Sequence, residues 1–230
     1  MKLLTWNMEG SNDGEKWSAL TSIHSTHPFD VACVQECGDT VDFGGNPVSE
    51  KQIKAHLTVS TYNLGTSSRE CPVYVTHLVT SGVENRCSLA IVSFENKFVS
   101  GTIDYAEALG SFQYRPALYA QVNLGGSQNL YVSSIHAASG GGGDAPGLVK
   151  AVAQECGKSP LVVAGDYNRD PSSIMGLDAS FTIMPPNAAT RPKSGKKLDY
   201  AIASHCGGRS AIGQVLSVGM SDHDPVLYDL

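Results

Sequence analysis

The chain has 230 residues, of which 41% are hydrophobic and 17% charged, so it can bury a large core, and this composition excludes a disordered protein. The formal net charge of −6 counts against a protein that coats DNA passively, because such proteins bind through many Lys and Arg contacts with phosphate. No apolar run approaches the roughly 18 residues that cross a bilayer. An enzyme remains compatible with this charge, since a bound cation and a few arginines supply positive potential locally.

Short apolar runs separated by turn residues recur along the chain. Each run is rich in β-branched or aromatic residues, which predicts strands rather than helices. The runs are 2–7, 31–34, 73–75, 88–92, 130–135, 161–164 and 226–228.

Two stretches have helical spacing. The first runs from about Gly14 to His27, with apolar residues three positions apart. The second follows Asp144, which can cap it, and Gly157 ends it. Pro146 suits its first turn, and apolar residues recur at every fourth position as far as Cys156. Many strands and few helices predict stacked sheets with helices packed outside them, and the length suits one domain over residues 1–230.

The six cysteines, at positions 33, 37, 71, 87, 156 and 206, lack the paired spacings of zinc sites. Disulfides in an exported protein and buried thiols in a cytosolic one both remain open. A bridge between Cys33 and Cys37 would require a strand to turn at once, so we expect these two not to pair. We expect no signal peptide in this form of the chain, so that any export signal was removed from it or never existed.

Residues able to bind a metal or move a proton lie at the ends of five predicted strands: Asn7, Glu36, His136, Asp166 with Asn168, and Asp222 with His223. Singly, each has an ordinary explanation, since Asp and Asn form turns at strand ends and a histidine there is commonly a core residue. Together they match the needs of phosphodiester hydrolysis. A hard cation held by carboxylate and amide oxygens neutralises phosphate, and a histidine oriented by a carboxylate takes a proton from water.

The order of these motifs resembles the endonuclease/exonuclease/phosphatase superfamily, to which pancreatic deoxyribonuclease and inositol-polyphosphate 5-phosphatases belong. The motifs are Trp6-Asn7, Gln35-Glu36, His136, Gly165-Asp166-Tyr167-Asn168, Leu198-Asp199 and Ser221-Asp222-His223. Further segments narrow the resemblance to the B subunits of cytolethal distending toxins. They are Trp6–Gly10 with Trp17, Tyr62–Thr66, Asn85–Arg86, Arg115–Ala117, Gly142–Ala145, Gly165–Arg169 and Leu198–Ala201, and they span essentially the whole chain.

This resemblance implies a four-layer α-β-β-α sandwich, two packed mixed sheets with outer helices and the site at one end of the sheets. It implies Mg²⁺, replaceable by Mn²⁺, held by Glu36, Asn7 and Asp222. His223, oriented by Asp199, would act as general base, and His136 would face the phosphate or the leaving group. Asp166 and Asn168 would position the nucleophile and the phosphoryl oxygens. The phosphate-binding residues would be Arg86, Arg115 and Arg169, with Lys193, Lys196 and Lys197 either secondary contacts or a solvated loop.

Two positions depart from the family pattern. Asp224 stands where the family usually has an aromatic residue. It could raise the pKa of His223 or point into solvent, and we favour the solvent-pointing interpretation. Arg86 stands in the region where pancreatic deoxyribonuclease has a glutamate that supports the first histidine. This difference counts against a proton-donor role for His136.

The resemblance implies a Mg²⁺-dependent endonuclease that nicks DNA with little sequence preference. By the same resemblance the protein would be secreted, act in a target-cell nucleus and associate with toxin delivery subunits, without stable membrane insertion. The first alternative is a phosphoinositide phosphatase that uses the same site. The second is an inactive binding module, against which the presence of every motif residue speaks. A groove that fits a duplex rather than a compact headgroup would favour the endonuclease.

Overall fold

A computed structural model of the chain describes residues 1–10, 14–80, 87–107, 115–125, 128–207 and 211–230. The α-helices in these residues are α1 (Gly14–Thr26) and α2 (Ala145–Cys156), and two single 3-10 turns lie at Pro171–Ser173 and Pro192–Ser194. The strands are β1 (Lys2–Asn7), β2 (Val31–Gln35), β3 (Ser49–Lys54), β4 (Leu57–Asn63), β5 (Pro72–Leu78), β6 (Leu89–Ser93), β7 (Asp104–Ala106), β8 (Ala117–Asn123), β9 (Asn129–His136), β10 (Leu161–Asp166), β11 (Phe181–Met184), β12 (Asp199–Ser204), β13 (Gln214–Val215) and β14 (Val226–Asp229). None of the described helices has the length and apolar character needed to cross a membrane.

The strands form two mixed sheets. One has eight strands in the order β13-β14-β1-β2-β6-β5-β4-β3, and the other has six in the order β11-β12-β10-β9-β8-β7. Each sheet contains one parallel pair, β1 with β2 and β9 with β10. Both pairs lie inside their sheets, and every residue of β2 and β10 is buried, so these two strands are covered on both faces.

Three apolar clusters separate four layers. Successive residues of a strand face opposite sides of the sheet, so Leu3 joins the cluster between the two sheets, with Val162, whereas Leu4 packs with Trp17 of α1. On the far side of the six-stranded sheet, Val163 belongs to the cluster that includes α2. The layers are therefore α1, eight strands, six strands and α2, which confirms the predicted four-layer sandwich.

Helix α2 begins after Asp144 and ends before Gly157, whose φ is 60°, as the sequence predicts. The prediction that the Asp144 side chain caps the helix is wrong. Its Oδ1 instead accepts a hydrogen bond from the backbone N–H of Ala138 at 2.8 Å, because Asp144 has helical backbone angles that turn the carboxylate away from the first turn of α2. Asp144 thus holds the preceding loop against the end of β9.

Strands β3, β4, β7, β8, β11, β12 and β13 are absent from the predicted elements, and the reason is clearest for β3. All six of its residues are exposed at the edge of the eight-stranded sheet, so its sequence carries no apolar alternation. All six cysteines fall within the described residues, and none forms a disulfide. Cys33 lies between the sheets whereas Cys37 lies on the α1 side, which confirms the expectation that these two do not pair.

Candidate active site

Strand register brings the predicted residues to one end of the sandwich. In the six-stranded sheet, Asp166 is the partner of His136 on one side and of Asp199 on the other. In the eight-stranded sheet, Asn7 pairs with Gln35, and Glu36 follows immediately. These residues therefore meet although they come from distant parts of the chain.

Close approach of β9 and β10 depends on Gly165. A Cβ atom at this position would lie 2.0 Å from the carbonyl oxygen of Ile135, so any other residue would push the two strands apart. Gly165 directly precedes Asp166, and Ile135 directly precedes His136. The glycine of the Gly-Asp-Tyr-Asn motif is therefore required for the spacing of the site.

The two sheets are joined at this end by Asn7. Its Nδ2 donates to Glu36 Oε1 and to Asp166 Oδ2, both at 3.1 Å. Its Oδ1 accepts from the backbone N–H of Glu9 at 2.9 Å, which fixes the orientation of the amide. Asn7, predicted as a metal ligand, thus presents its nitrogen to the two carboxylates and holds them in place.

Two histidines face the same carboxylate. Asp166 Oδ2 lies 3.6 Å from His136 Nε2 and 4.0 Å from His223 Nε2. His136 Nε2 is also 3.5 Å from Glu36 Oε1. Because both Nε2 atoms point to one centre, a reacting group there has a proton acceptor and a proton donor within reach.

His223 is oriented by Asp199, whose Oδ2 lies 2.7 Å from Nδ1. Both residues are buried. Trp6 Nε1 donates to the backbone carbonyl of His223 at 3.1 Å, and Ser221 Oγ accepts from its backbone N–H at 3.1 Å. The contact with Asp199 places the proton on Nδ1 of the neutral ring, so Nε2 is left to accept one.

Burial and neighbouring charges set the pKa values of this pair. Burial opposes the charged form of His223, but the charge and hydrogen bond of Asp199, with Asp166 and Asp222, raise its pKa to about 9. Burial, reinforced by repulsion from Asp199, raises the pKa of Asp166 to about 7. A divalent cation bound beside them would compete with these protons.

The backbone is strained at three cleft residues. Glu9, Glu36 and Asn168 have φ values of 55°, 49° and 49°, a region that non-glycine residues rarely occupy. Asn168 is held there by its N–H, which donates to Asp166 Oδ1 at 2.7 Å, and by its Nδ2, which donates to the carbonyl of Ala137 at 2.8 Å. Asp166 therefore makes the local turn and also faces the cleft.

The predicted phosphate-binding arginines are dispersed. Arg115 lines the cleft, and its Nη1 donates to the carbonyl oxygens of Ala137 at 2.8 Å and His136 at 3.4 Å. Arg169 donates from Nε to the carbonyl of Gly141 at 2.7 Å and is not among the cleft-lining residues. Arg86 lies outside the described residues. The loop lysines 193, 196 and 197 do not line the cleft.

Three cleft residues, Glu9, Ser139 and Arg191, were missed in the sequence. Arg191 donates to Asp222 Oδ2 from Nη2 at 2.7 Å and from Nε at 3.1 Å. Glu9 Oε2 accepts from the backbone N–H of Asp222 at 2.9 Å. Glu9 lies within the Trp6–Gly10 segment and Arg191 begins the basic loop before Leu198-Asp199, so proximity to the motifs was the available signal.

The solvent-pointing interpretation of Asp224 is wrong. The residue is only 7% exposed, and its backbone N–H donates to the carbonyl of Thr190 at 2.7 Å. Thr190 Oγ1 in turn accepts from the backbone N–H groups of Leu198 and Asp199 at 2.9 and 3.1 Å. The segment after His223 is therefore fastened to the Asp199 strand, which explains the burial.

The cleft has a volume of about 290 Å³ and a strongly polar lining. The lining residues are Glu9, Glu36, Arg115, His136, Ser139, Asp166, Asn168, Arg191, Asp222 and His223. Glu36, Asp166 and Asp222 offer carboxylate oxygens, the donor type that hard cations such as Mg²⁺ prefer. The chemistry of this donor set fits a divalent cation of that kind.

Asp166, Asp199 and His223 also lie close enough together to resemble a metal site, with ligand atoms within 4.8 Å of one another. His223 Nδ1 and Asp199 Oδ2 are already bonded to each other at 2.7 Å, and Asp199 is fully buried behind the histidine. This group is therefore better suited to moving a proton than to holding the cation.

Comparison with known proteins agrees with this geometry. A model of the Endonuclease/Exonuclease/phosphatase family matches residues 4–223. The cytolethal distending toxin B-subunit homolog of Salmonella typhi is 25% identical over 250 residues, which cover 99% of this chain and 88% of that protein.

Two solved structures are similar over nearly their full length. The cytolethal distending toxin of Haemophilus ducreyi matches with a TM-score of 0.80 and 26% identity, covering 99% of this chain and 96% of that one. The toxin of Actinobacillus actinomycetemcomitans matches with a TM-score of 0.75 and 26% identity, covering 99% and 97%. The resemblance inferred from the motif order is confirmed.

Proposed function

Because the chain belongs to the Endonuclease/Exonuclease/phosphatase family and is a hydrolase of phosphate esters, we propose that it is a Mg²⁺-dependent endonuclease. It nicks DNA with little sequence preference, and Mn²⁺ can replace Mg²⁺. The observation that carries this proposal is the buried His223–Asp199 pair at 2.7 Å, whose Nε2 faces Asp166 inside a cleft of carboxylates. The likeness to toxin subunits supports DNA as the substrate.

His223 Nε2 takes a proton from the attacking water while Asp199 keeps the ring in the correct tautomer. Asp166 and Asn168 orient this water and a phosphoryl oxygen. His136, on the other side of Asp166, faces the phosphate or the leaving-group oxygen. A bound divalent cation would neutralise phosphate charge. Glu36 and Asp222 would hold it, and Asn7 would keep Glu36 in place through its amide nitrogen.

The relatives are named as toxin components, and this supports a secreted protein that acts in the nucleus of a target cell with delivery subunits as partners. We further propose that residues 1–230 act as a single domain. Both sheets contribute to the cleft, since Glu36 directly follows β2 of the eight-stranded sheet and Asp166 ends β10 of the six-stranded sheet.

The test is a plasmid-nicking assay beside phosphate release from phosphatidylinositol trisphosphate, each with and without chelator. Nicking that requires Mg²⁺ and is lost in His223→Ala is the expected result. His27→Ala is the matched control, because His27 is exposed at the end of α1, outside the cleft. Phosphate release without nicking would replace the endonuclease by a phosphoinositide phosphatase, and inactivity in both assays would indicate a binding module.

A further inference from the structure

The cleft contains a guanidinium whose present partner is itself a candidate cation ligand. Arg191 directs two N–H groups, from Nη2 and Nε, to the single oxygen Oδ2 of Asp222. Asp222 Oδ1 lies 3.8 Å from His223 Nε2, on the side of the reacting centre. This arrangement differs from a parallel fork on both carboxylate oxygens, the geometry that uses a guanidinium fully.

The base of Arg191 is rigid although its side chain is 42% exposed. Its backbone N–H donates to the carbonyl of Lys196 at 3.1 Å, closing a turn that contains Gly195 in a left-handed conformation. The preceding Thr190 binds the backbone of Asp199 and Asp224, as described above. The loop is thus attached to Asp199, which orients His223, and to Asp224, which follows it in the chain. The guanidinium of Arg191 can nevertheless exchange partners.

We propose that Arg191 is held by Asp222 in the ligand-free cleft and transfers to a phosphate oxygen of the substrate when a divalent cation takes Asp222. Arg191 is then a substrate-binding residue, and the exchange couples cation binding to phosphate binding. The inference rests on the proposed function, because it assumes a phosphate ester and a cation in this cleft.

The charges of the cleft favour this exchange. Its lining contains four carboxylates and two guanidiniums, those of Arg115 and Arg191. The Arg115 Nη1 is bonded to the carbonyl oxygens of His136 and Ala137, which belong to the backbone and are not cation-binding carboxylates of the cleft. Arg191 is paired with a carboxylate that a cation can take over. A cation on Asp222 would repel the guanidinium at short range and leave it without its acceptor, which makes an incoming phosphate oxygen its best partner.

Binding measurements test this proposal without relying on turnover. A His223→Ala background prevents cleavage, and into it we introduce Arg191→Gln, Arg191→Lys or the control Lys158→Gln. Lys158 is exposed after α2, so the control removes the same charge from outside the cleft. Mn²⁺ affinity is measured by electron paramagnetic resonance without DNA, and affinity for a short labelled duplex is measured by fluorescence anisotropy in Mg²⁺.

Arg191→Gln is expected to bind Mn²⁺ several-fold more tightly and DNA about tenfold more weakly, the scale of a lost charged hydrogen bond. Arg191→Lys should lie between Arg191→Gln and the background protein, and Lys158→Gln should match the background in both assays. An arginine that only orients Asp222 would instead make Arg191→Gln weaker for both ligands, and that result would overturn the proposal. Unchanged DNA affinity would overturn it as well. If the His223→Ala background protein binds neither Mn²⁺ nor DNA, the proposed function is wrong as well as the proposal for Arg191. The background measurement thus separates this result from a failure of the Arg191 proposal alone.

Discussion

Asn7 Nδ2 donates to Asp166 Oδ2 at 3.1 Å, and this bond joins the last residue of β1 in one sheet to the last residue of β10 in the other. The same nitrogen donates to Glu36 Oε1. One amide therefore sets the distance between carboxylates that belong to different sheets. The packing of the sheets thereby controls the geometry of the cleft.

Asn7→Ala removes this link, and we expect turnover to fall roughly 10- to 100-fold, the usual effect of losing a residue that positions a metal ligand. Unfolding free energy should fall by about 1–3 kcal/mol, because buried carboxylates lose a donor. Steady-state kinetics and urea denaturation measure the two effects. Asn129→Ala, an exposed change at the start of β9, should alter neither quantity. Unchanged turnover in Asn7→Ala would contradict the positioning role.

Chelation is expected to abolish hydrolysis, and Mg²⁺ or Mn²⁺ should restore it. The reason is that the carboxylates of Glu36, Asp166 and Asp222 supply oxygen ligands for a cation. Without the cation, their negative charges repel the phosphate of the substrate. Activity after dialysis against chelator, followed by titration of each cation, is the measurement. Full activity in excess chelator would exclude the cation from the mechanism.

His223→Ala and Asp199→Asn should each lower turnover by at least roughly a hundredfold, the usual scale for general-base assistance and its orientation. His223 is buried, so His223→Ala leaves a small cavity. Circular dichroism therefore checks that the variant folds. Asp199→Asn keeps the shape while removing the charge that faces Nδ1. A folded Asp199→Asn variant with parental turnover would contradict the assigned orientation.

In chelator, the protein is expected to lose stability as pH rises from about 6 to about 9. The folded-state pKa of His223 is raised from 6.5 to about 9, so its contribution is full below pH 6.5 and is lost as pH rises through about 9. The pKa of Asp166 is raised from 3.8 to about 7 in the folded state. Its contribution to stability is therefore full below pH 3.8 and is lost as pH rises through about 7. Both groups act in the same direction.

Asp166→Asn tests this assignment, because it removes one of the two groups and one of the charges that raise the pKa of His223. Thermal unfolding from pH 5 to 9.5 should show a smaller loss of Tm for the variant than for the parent. A parent whose Tm is constant or rises over this range would show that these groups do not govern its stability.

Arg115→Ala is expected to lower turnover as well as DNA affinity, since Arg115 Nη1 holds the backbone carbonyls at the end of β9 where His136 stands. Arg115→Lys should recover only part of the loss, because an ammonium group cannot reproduce the planar guanidinium geometry. Separate kcat and KM values distinguish the outcomes. A change confined to KM would mean that Arg115 contacts substrate alone and does not position His136.

The salt dependence of DNA binding should be shallow, since the protein is acidic and, among the described residues that line the cleft, Arg115 and Arg191 are the only arginines or lysines. Binding from low to moderate salt should give a slope for roughly two to four phosphates, at about 0.9 per contact. A steep slope would place the main DNA-binding surface outside the cleft.

Most of the elements that deliver the site were predictable from local sequence, but β12, which carries Asp199, was not predicted as a strand. Apolar runs such as residues 31–34 and 161–164 are strands buried on both faces, and their apolar residues are contiguous in the chain. The order of the polar residues that follow these runs was sufficient to identify the family. The exposed strand β3 was missed because an edge strand with six exposed residues needs no apolar pattern.

Tertiary structure alone decided which polar atoms meet. Arg191 and Asp222 are 31 residues apart, and Asn7 and Asp166 are 159 apart, so no local spacing predicts their contact. In the fold Asp222 also binds Arg191, and Arg115 binds backbone carbonyls, two contacts that the sequence did not indicate. The physical reason is that hydrogen bonds act over about 3 Å. Only the register of the strands and the packing of one sheet on the other place these side chains to that accuracy.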